Sequence, residues 1–452
     1  MNRKNKEIQV YIISLGCSKN LVDAECMTRI LLDDKMKIVT EPSAADVIIV
    51  NTCGFIESAK KEAIDTILEM AEFKTLPGHC DYLLVTGCLV QRYAEDIRND
   101  IPEVDQVLGT SHYQDIAKAI RVLYGDYSGP IENYVSEPGS LLHMRINRVI
   151  STKTYAWLKI AEGCSNRCAY CAIPMIRGPY ISRSFEDILA EAVYIAQSGA
   201  SEIILTAQDT TRYGIDIYGK RMLPELIHEL SKIPEVRMIR IMYSYSDGIS
   251  DELIKEMAVN PKVAHYLDMP IQHADDAVLH SMNRHDSVSM ISESIERIRE
   301  KIPDIILRTT VLVGFPGETK EAFNNLLEHL SIWRFDRLGC FVFSPEEGTE
   351  AFSMKDRVRK DVAQKRYNQV MALQQEISLA KNQERMRTIS EVTIETISDD
   401  GIFYVGRSYG EAPDVDPSIY VAATNEPLEI GRTYAVSFVD CSAYDLTGVT
   451  IP

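Results

Sequence analysis

Short apolar runs alternate with helix-period stretches along the first third of the chain. Val10 to Leu15 reads as a strand and Leu21 to Leu32 as an amphipathic helix. The unit recurs as Val47 to Asn51 then Glu57 to Phe73, and as Tyr82 to Thr86 then helical periodicity through Arg98. Strands separated by helices predict a parallel sheet, because a tight hairpin cannot join parallel neighbours. Gly125, Gly129, Pro130, Pro138 and Gly139 then read as a linker.

The rhythm continues on a larger scale. Strand candidates are Ala156–Ala161, Glu202–Thr206, Met238–Met242, His265–Met269, Ile305–Leu312 and Leu338–Phe343. Helical patterns lie between them at Phe185–Gln197, Ser287–Lys301 and Lys320–Ile332, and a long polar helix runs from about Arg357 to Arg385. Six βα units, two short of a full barrel, predict a partial (β/α)6 barrel. Beyond it the period changes to two, at Val392–Ile397, Ile402–Tyr409, Tyr420–Thr424 and Tyr434–Val439, which predicts a small antiparallel β-barrel. The expected architecture is α/β: an N-terminal parallel-sheet domain over 1–140, the partial barrel over 141–384 and the small barrel over 385–452.

A length of 452 residues with 45% hydrophobic and 25% charged positions fits a globular chain of two to four domains. No apolar run has the length of a membrane span, and the start, Met-Asn-Arg-Lys-Asn-Lys-Glu, is unlike a signal peptide, so no membrane role and a cytoplasmic site are expected. In a reducing compartment the ten cysteines point to metal or redox chemistry rather than disulfides. The net charge of −18 argues against a general nucleic-acid binder and favours a basic partner.

Cys164-Ser-Asn-Arg-Cys168-Ala-Tyr170-Cys171 follows a predicted strand, at the end of the barrel where βα folds carry chemistry. Three thiolates can hold three irons of a 4Fe–4S cube and leave the fourth open to a small molecule. Zinc would ordinarily recruit a fourth ligand nearby, and none follows. This spacing, with an aromatic before the last cysteine, closely resembles the signature of the radical S-adenosylmethionine superfamily. The resemblance implies cofactor chelation at the open iron, Tyr170 against the adenine, and cleavage to methionine and a 5′-deoxyadenosyl radical. Gln208 and Asp209, after the second barrel strand, offer polar groups where such enzymes hold the methionine moiety. Gly314, in Val311-Leu-Val-Gly314-Phe-Pro-Gly317-Glu318, resembles the glycine motif beside the adenosine.

Cys17, Cys53 and Cys88 each lie just beyond the carboxyl end of a predicted strand in the first segment. Such ends share one edge of a parallel sheet, so these thiols should converge and can hold a second open 4Fe–4S cluster. Cys26, Cys80, Cys340 and Cys441 follow no such rule and read as structural. With both constellations, the whole chain resembles the methylthiotransferases, which carry two clusters and a C-terminal module called TRAM. Ser14-Leu-Gly-Cys17-Ser-Lys-Asn-Leu-Val-Asp-Ala-Glu25 and Cys171-Ala-Ile-Pro-Met-Ile-Arg177-Gly-Pro-Tyr-Ile-Ser-Arg183-Ser are the most specific matches.

Within that family, Gly16-Cys-Ser-Lys-Asn-Leu-Val-Asp23 is similar to the branch modifying an aspartate of small-subunit ribosomal protein S-twelve. Ser18 stands where that branch typically has proline, and the transfer-RNA branch more often has glutamine and methionine in this stretch. Gly406-Arg-Ser-Tyr-Gly-Glu-Ala-Pro413-Asp-Val-Asp416 also resembles the ribosomal-protein branch. From Thr388 onward eleven Asp or Glu face two Arg and no Lys, a net of −9 that would attract a basic protein and repel phosphates. The basic run Arg357, Arg359, Lys360, Lys365 and Arg366 reads as the solvated side of a helix.

The resemblance therefore implies methylthiolation of an aspartate β-carbon, on the free ribosomal protein or within the subunit. One S-adenosylmethionine would methylate sulfur on the cluster of Cys17, Cys53 and Cys88. A second, cleaved at the other cluster, would make the substrate radical that couples to it. Implied partners include a flavodoxin- or ferredoxin-like electron donor and a sulfur donor. The rival readings are methylthiolation of a modified adenosine in transfer RNA and a non-enzymatic Fe–S carrier or scaffold.

Overall fold

The computed structural model describes residues 7–75, 79–126, 134–424 and 426–451. The first sheet has five parallel strands, with Gln9–Ser14 between Lys37–Ile38 and Val47–Thr52, followed by Tyr82–Gly87 and Gln106–Leu108. The alternation within one strand explains its two-sided burial. Val47 and Ile49 enter a core shared with Ala24, Met27 and Leu31 of helix Ser18–Asp33. Ile48 and Val50 enter the opposite core with Ala63, Ile67 and Met70 of helix Glu57–Ala71. The two outer strands, of two and three residues, are too short for periodicity to reveal.

The central sheet joins six parallel strands in chain order: Tyr155–Lys159, Glu202–Thr206, Met238–Ile241, Val263–Asp268, Ile306–Val313 and Arg337–Val342. One face packs on the surrounding helices through residues such as Leu158, Leu205 and Ile241. The other carries Trp157, Ile204, Tyr266 and Ile306 against Val22 and Cys26 of the first-sheet helix and Ala412 of the C-terminal module. Helix Ser18–Asp33 thus serves two cores, and its N-terminus, where Cys17 sits, is fixed between them.

The C-terminal strands Ile389–Ile397, Tyr404–Arg407, Ile419–Ala422, Thr433–Cys441 and Leu446–Thr450 form a closed barrel. It is not wholly antiparallel: Leu446–Thr450, absent from the sequence expectation, pairs parallel with Ile419–Ala422 and closes the ring. The long helix, Lys360–Glu384, is also less solvated than its polarity suggests. Arg366 is buried and donates to the Glu318 carboxylate at 2.8 Å, and Asn382 donates to the Ser442 carbonyl at 3.0 Å. Of the expected linker, Gly129 and Pro130 lie outside the described residues. Its described C-terminal part is docked rather than tethered: Tyr134 is buried, Gln91 donates to the Ser136 carbonyl at 2.8 Å and Ser111 to the Glu137 carbonyl at 3.1 Å.

The acidic tail is partly spent inside the molecule. Glu411 is buried between Arg385 at 2.5 Å and Arg337 at 3.3 Å, and Tyr266 donates to Asp416 at 2.6 Å. Glu391, Asp399, Asp400, Asp414, Glu426, Glu429 and Asp440 remain exposed. Burial raises the Glu411 carboxyl, but Arg385 and Arg337 outweigh it and hold the group at about 2 against an ordinary 4.5. A depressed folded pKa stabilises above the unfolded value, so this contribution, about 3 kcal/mol, is full above pH 4.5 and lost as pH falls towards 2. Glu411→Gln should flatten the fall in urea midpoint over that window, and an unchanged slope would refute the assignment.

Candidate functional site: two thiol trios joined by a buried ion network

The Cys164–Cys171 loop is fastened on several sides. The Cys164 N–H donates to the Gly178 carbonyl at 3.0 Å, Ala169 N–H to Met282 at 2.9 Å and Ala351 N–H to Ala169 at 2.8 Å. Asn166 donates to Asp209 at 2.9 Å and accepts from Arg212 at 2.7 Å. Gly163 has φ +72°, and a Cβ there would lie 2.0 Å from the Pro179 carbonyl oxygen, so only glycine leads the strand into this loop. Cys164 and Cys168 are buried and Cys171 half-buried. Burial, then the neighbouring Cys168, pushes the Cys164 thiol up to about 11; burial and both sister cysteines also raise Cys171.

The other sequence candidates surround this loop in different ways. Tyr170 packs edge-on against Phe315, ring centroids 6.5 Å apart. Gln208 donates to Glu162 at 3.2 Å, while its own Oε1 is buried without a partner. Asp209 is engaged by Thr211 as well as Asn166, and burial raises its pKa. Gly314, at φ +80°, donates its N–H to the buried Glu318 carboxylate, which also receives Arg366. Two groups carried no sequence expectation: the Tyr245 hydroxyl lies 3.3 Å from Cys168 Sγ, and the Arg284 guanidinium lies over the Tyr245 ring at 4.5 Å with Nη1 unpartnered. The strand-end rule, applied beyond Met238–Ile241, would have found Tyr245; no local pattern marks Arg284.

Cys17, Cys53 and Cys88 do come together at the carboxyl edge of the first sheet. Ser14 pairs with Asn51 and Thr52 with Gly87, which sets the three strand ends level. A Cβ on Gly16 (φ +88°) would lie 2.7 Å from Cys53 Cβ and 3.0 Å from its Sγ. Asn20 ties the edge by donating to the carbonyls of Leu15 at 2.9 Å and Thr52 at 3.0 Å, and its Oδ1 lies 3.6 Å from Cys88 Sγ.

The three thiols are electrostatically unequal. Cys17 is exposed, and the enclosing protein that would raise its thiol is outweighed by Lys19, Arg177 and the amides of Asn20 and Lys19 at the helix N-terminus, which pull it below its usual 9.0. Burial raises Cys53, and pushes Cys88 up to about 12. In the metal-free chain, alkylation at neutral pH should therefore modify Cys17 first and Cys88 last; the reverse order by peptide mapping would contradict the geometry.

Arg177, at the end of helix Ile173–Arg177, physically joins the trios. It reaches Asn20 at 2.5 Å, Cys88 Sγ at 3.6 Å, Asp23 at 2.7 Å and Glu162 at 3.0 Å. Lys159 pairs with the same two carboxylates, and His143 lies 2.8 Å from Asp23. Asp23, His143 and Glu162 bring ligand-type atoms within 4.8 Å of one another, yet Lys159 and Arg177 already meet their charge. Burial opposes ionisation of Glu162, but Arg177 and Lys159 hold its carboxyl at about 2. The network escaped sequence reasoning because its members span residues 20 to 177, with nothing in their spacing to connect them.

Family models match in three places: Uncharacterized protein family UPF0004 over residues 9–109, the Radical SAM superfamily over 158–330 and a TRAM domain over 388–451. Among curated proteins, "Ribosomal protein uS12 methylthiotransferase RimO" of Acetivibrio thermocellus is 47% identical over 98% of both chains. That of Geobacter sulfurreducens is 45% identical over 99% of both. The chain belongs to the uS12 methylthiotransferase family. It is a radical S-adenosylmethionine methylthiotransferase, an Fe–S enzyme that uses S-adenosylmethionine. A solved structure of the radical S-adenosylmethionine methyltransferase TsrM from Kitasatospora setae shares its fold, with a TM-score of 0.59 and 11% identity, covering 76% of this chain and 77% of that one. Among the described residues no helix is long and apolar enough to cross a membrane.

Proposed function

We propose that the enzyme methylthiolates the β-carbon of an aspartate in ribosomal protein uS12, using two 4Fe–4S clusters. The meeting of Cys17, Cys53 and Cys88 around Asn20, one Arg177 side chain away from the Cys164 loop, carries the two-cluster reading. The donor sets suit the groups: each trio offers soft thiols and leaves a fourth iron position free. Burial raises Cys88, Cys164 and Cys171, so iron would have to displace their protons as it binds. The unpartnered Gln208 Oε1 and Arg284 Nη1 offer a polar cofactor an acceptor and a donor around the loop.

When bound, the cluster of Cys164, Cys168 and Cys171 supplies the electron that cleaves S-adenosylmethionine, and that of Cys17, Cys53 and Cys88 presents the sulfur. Tyr170 would hold the adenine of a bound cofactor and Gln208 would meet its methionine moiety. Asp209 braces the cysteine loop through Asn166, and Gly314 lets the backbone turn beside the adenosine. The substrate follows from what the relatives are named for and from the exposed acids of the C-terminal module, which favour a basic protein. Domain boundaries near 140 and 384, a cytoplasmic location, a flavodoxin- or ferredoxin-like reductant and a sulfur donor complete the proposal.

Anaerobic reconstitution tests the clusters. With reductant and S-adenosylmethionine, the protein should bind iron for two clusters and release 5′-deoxyadenosine. Iron for a single cluster would overturn the second site, and full iron without deoxyadenosine would return the chain to a carrier role.

A further inference from the structure

Helix Glu57–Ala71, helix Cys88–Asp100 and the loop after the last barrel strand enclose a groove of about 730 Å³. Its floor is apolar: Ile64 and Leu68, one helical turn apart, line it with Leu89, Ile97, Ile101 and Phe352. The first helix buries Ala63, Ile67 and Met70 against the first sheet. Ile64 and Leu68 continue that apolar face beyond what the sheet covers, so Leu68 is 48% exposed and Ile64 40%, with Phe352 opposite at 39%. Large side chains left uncovered together, inside a concavity, mark a surface that meets another molecule.

Ion pairs fix the walls. The buried Glu346 carboxylate takes Lys60 at 3.1 Å and Arg92 at 2.8 Å, one from each helix. Arg92 also donates to the carbonyls of Gly54 and Glu347, both at 3.0 Å. The groove is therefore formed before anything enters it, and two cations are consumed in forming it. What remains at the rim is acidic. Asp65, Asp96, Asp100 and Glu347 are exposed and join no ion pair among the described residues. Against them stand Lys61 on the same rim and Arg357 over the Phe352 ring. Each wall also leads to a thiol trio. Helix Cys88–Asp100 begins at Cys88, next to Leu89 of the floor, and the loop bearing Glu347 and Phe352 donates from the Ala351 N–H to the Ala169 carbonyl within the Cys164 loop.

We propose that this groove docks the protein substrate, through a basic and apolar segment separate from the residue that is modified. The proposal rests on the protein-substrate reading above. Apolar side chains of the segment fill the floor while its Lys or Arg side chains meet the rim carboxylates. A nucleic acid is matched in the opposite sense, since its phosphates face four unpaired carboxylates. Docking away from the reacting atoms adds affinity equally before and during reaction, so it lowers KM and leaves kcat alone.

The test uses reconstituted holoenzyme and ribosomal protein uS12, with two variants. Asp65→Lys, Asp96→Lys and Asp100→Lys together reverse the rim; Ile64→Ser with Leu68→Ser makes the floor polar. Asp100 ends its helix, where the dipole disfavours a carboxylate, so the reversal does not threaten the fold. Each variant should raise the KM for uS12 about 10-fold, while kcat, bound iron and deoxyadenosine release without uS12 stay at wild-type values. Equilibrium binding of uS12 should weaken with added salt in the wild type and lose most of that dependence in the reversed rim. An unchanged KM in both variants, or a fall in kcat without a rise in KM, would overturn the docking site. Wild-type enzyme that binds uS12 in a rim-dependent way yet labels only transfer RNA would refute the functional reading and leave the groove standing as a protein-docking site.

Discussion

Replacing Cys17, Cys53 and Cys88 together with alanine is expected to remove about half of the bound iron and all methylthio transfer, while deoxyadenosine release persists. The expectation follows from separation of labour in the fold. The Cys164 loop is fastened by Gly178, Met282, Asp209 and Ala351, none of which belongs to the first sheet. Loss of the three first-sheet thiols therefore leaves that loop its own supports. Alanine is also tolerable in packing terms, because of the three only Cys88 is buried, in a small apolar cluster with Ala172 and Ile176. Iron analysis and chromatography of the nucleoside product read the two effects separately. Unchanged iron would deny the second site; loss of deoxyadenosine release would mean that the trios are one functional unit.

Arg177→Met should destabilise the protein by roughly 3–5 kcal/mol, the cost of breaking a buried pair from one side. Arg177 is buried and shared by Asp23 and Glu162, so its removal leaves two buried carboxylates with Lys159 as their remaining full cation. Cys17 simultaneously loses one of the two cations that lower its pKa. The guanidinium chloride midpoint measures the first effect and the Cys17 alkylation rate at neutral pH, which should fall, measures the second. Arg177→Lys keeps the charge but not the forked reach to Asn20 and Cys88, so it should be milder in stability. A loss below about 1 kcal/mol for Arg177→Met would contradict the network's role.

The parts of this molecule that were readable in its sequence are those with local causes. Val47–Thr52 and Glu202–Thr206 are continuous apolar strands between helices, and both trios obey one rule, a cysteine past a strand end. What escaped is non-local. Leu446–Thr450 has a neighbouring antiparallel partner in Thr433–Cys441, but it closes the ring only by pairing in parallel with the more distant Ile419–Ala422. Arg366, Glu411 and Asp416 look like solvated charges until the fold supplies Glu318, Arg385 and Tyr266. The acidic tail consequently overstated the charge available to a partner, although its exposed residues keep the sign.

The substrate is the claim on which the account stands or falls. Reconstituted enzyme given S-adenosylmethionine labelled in its methyl group, reductant, ribosomal protein uS12 and unfractionated transfer RNA should place label in the protein, on an aspartate β-carbon by peptide fragmentation. Label confined to the transfer RNA, with none in the protein, would contradict it.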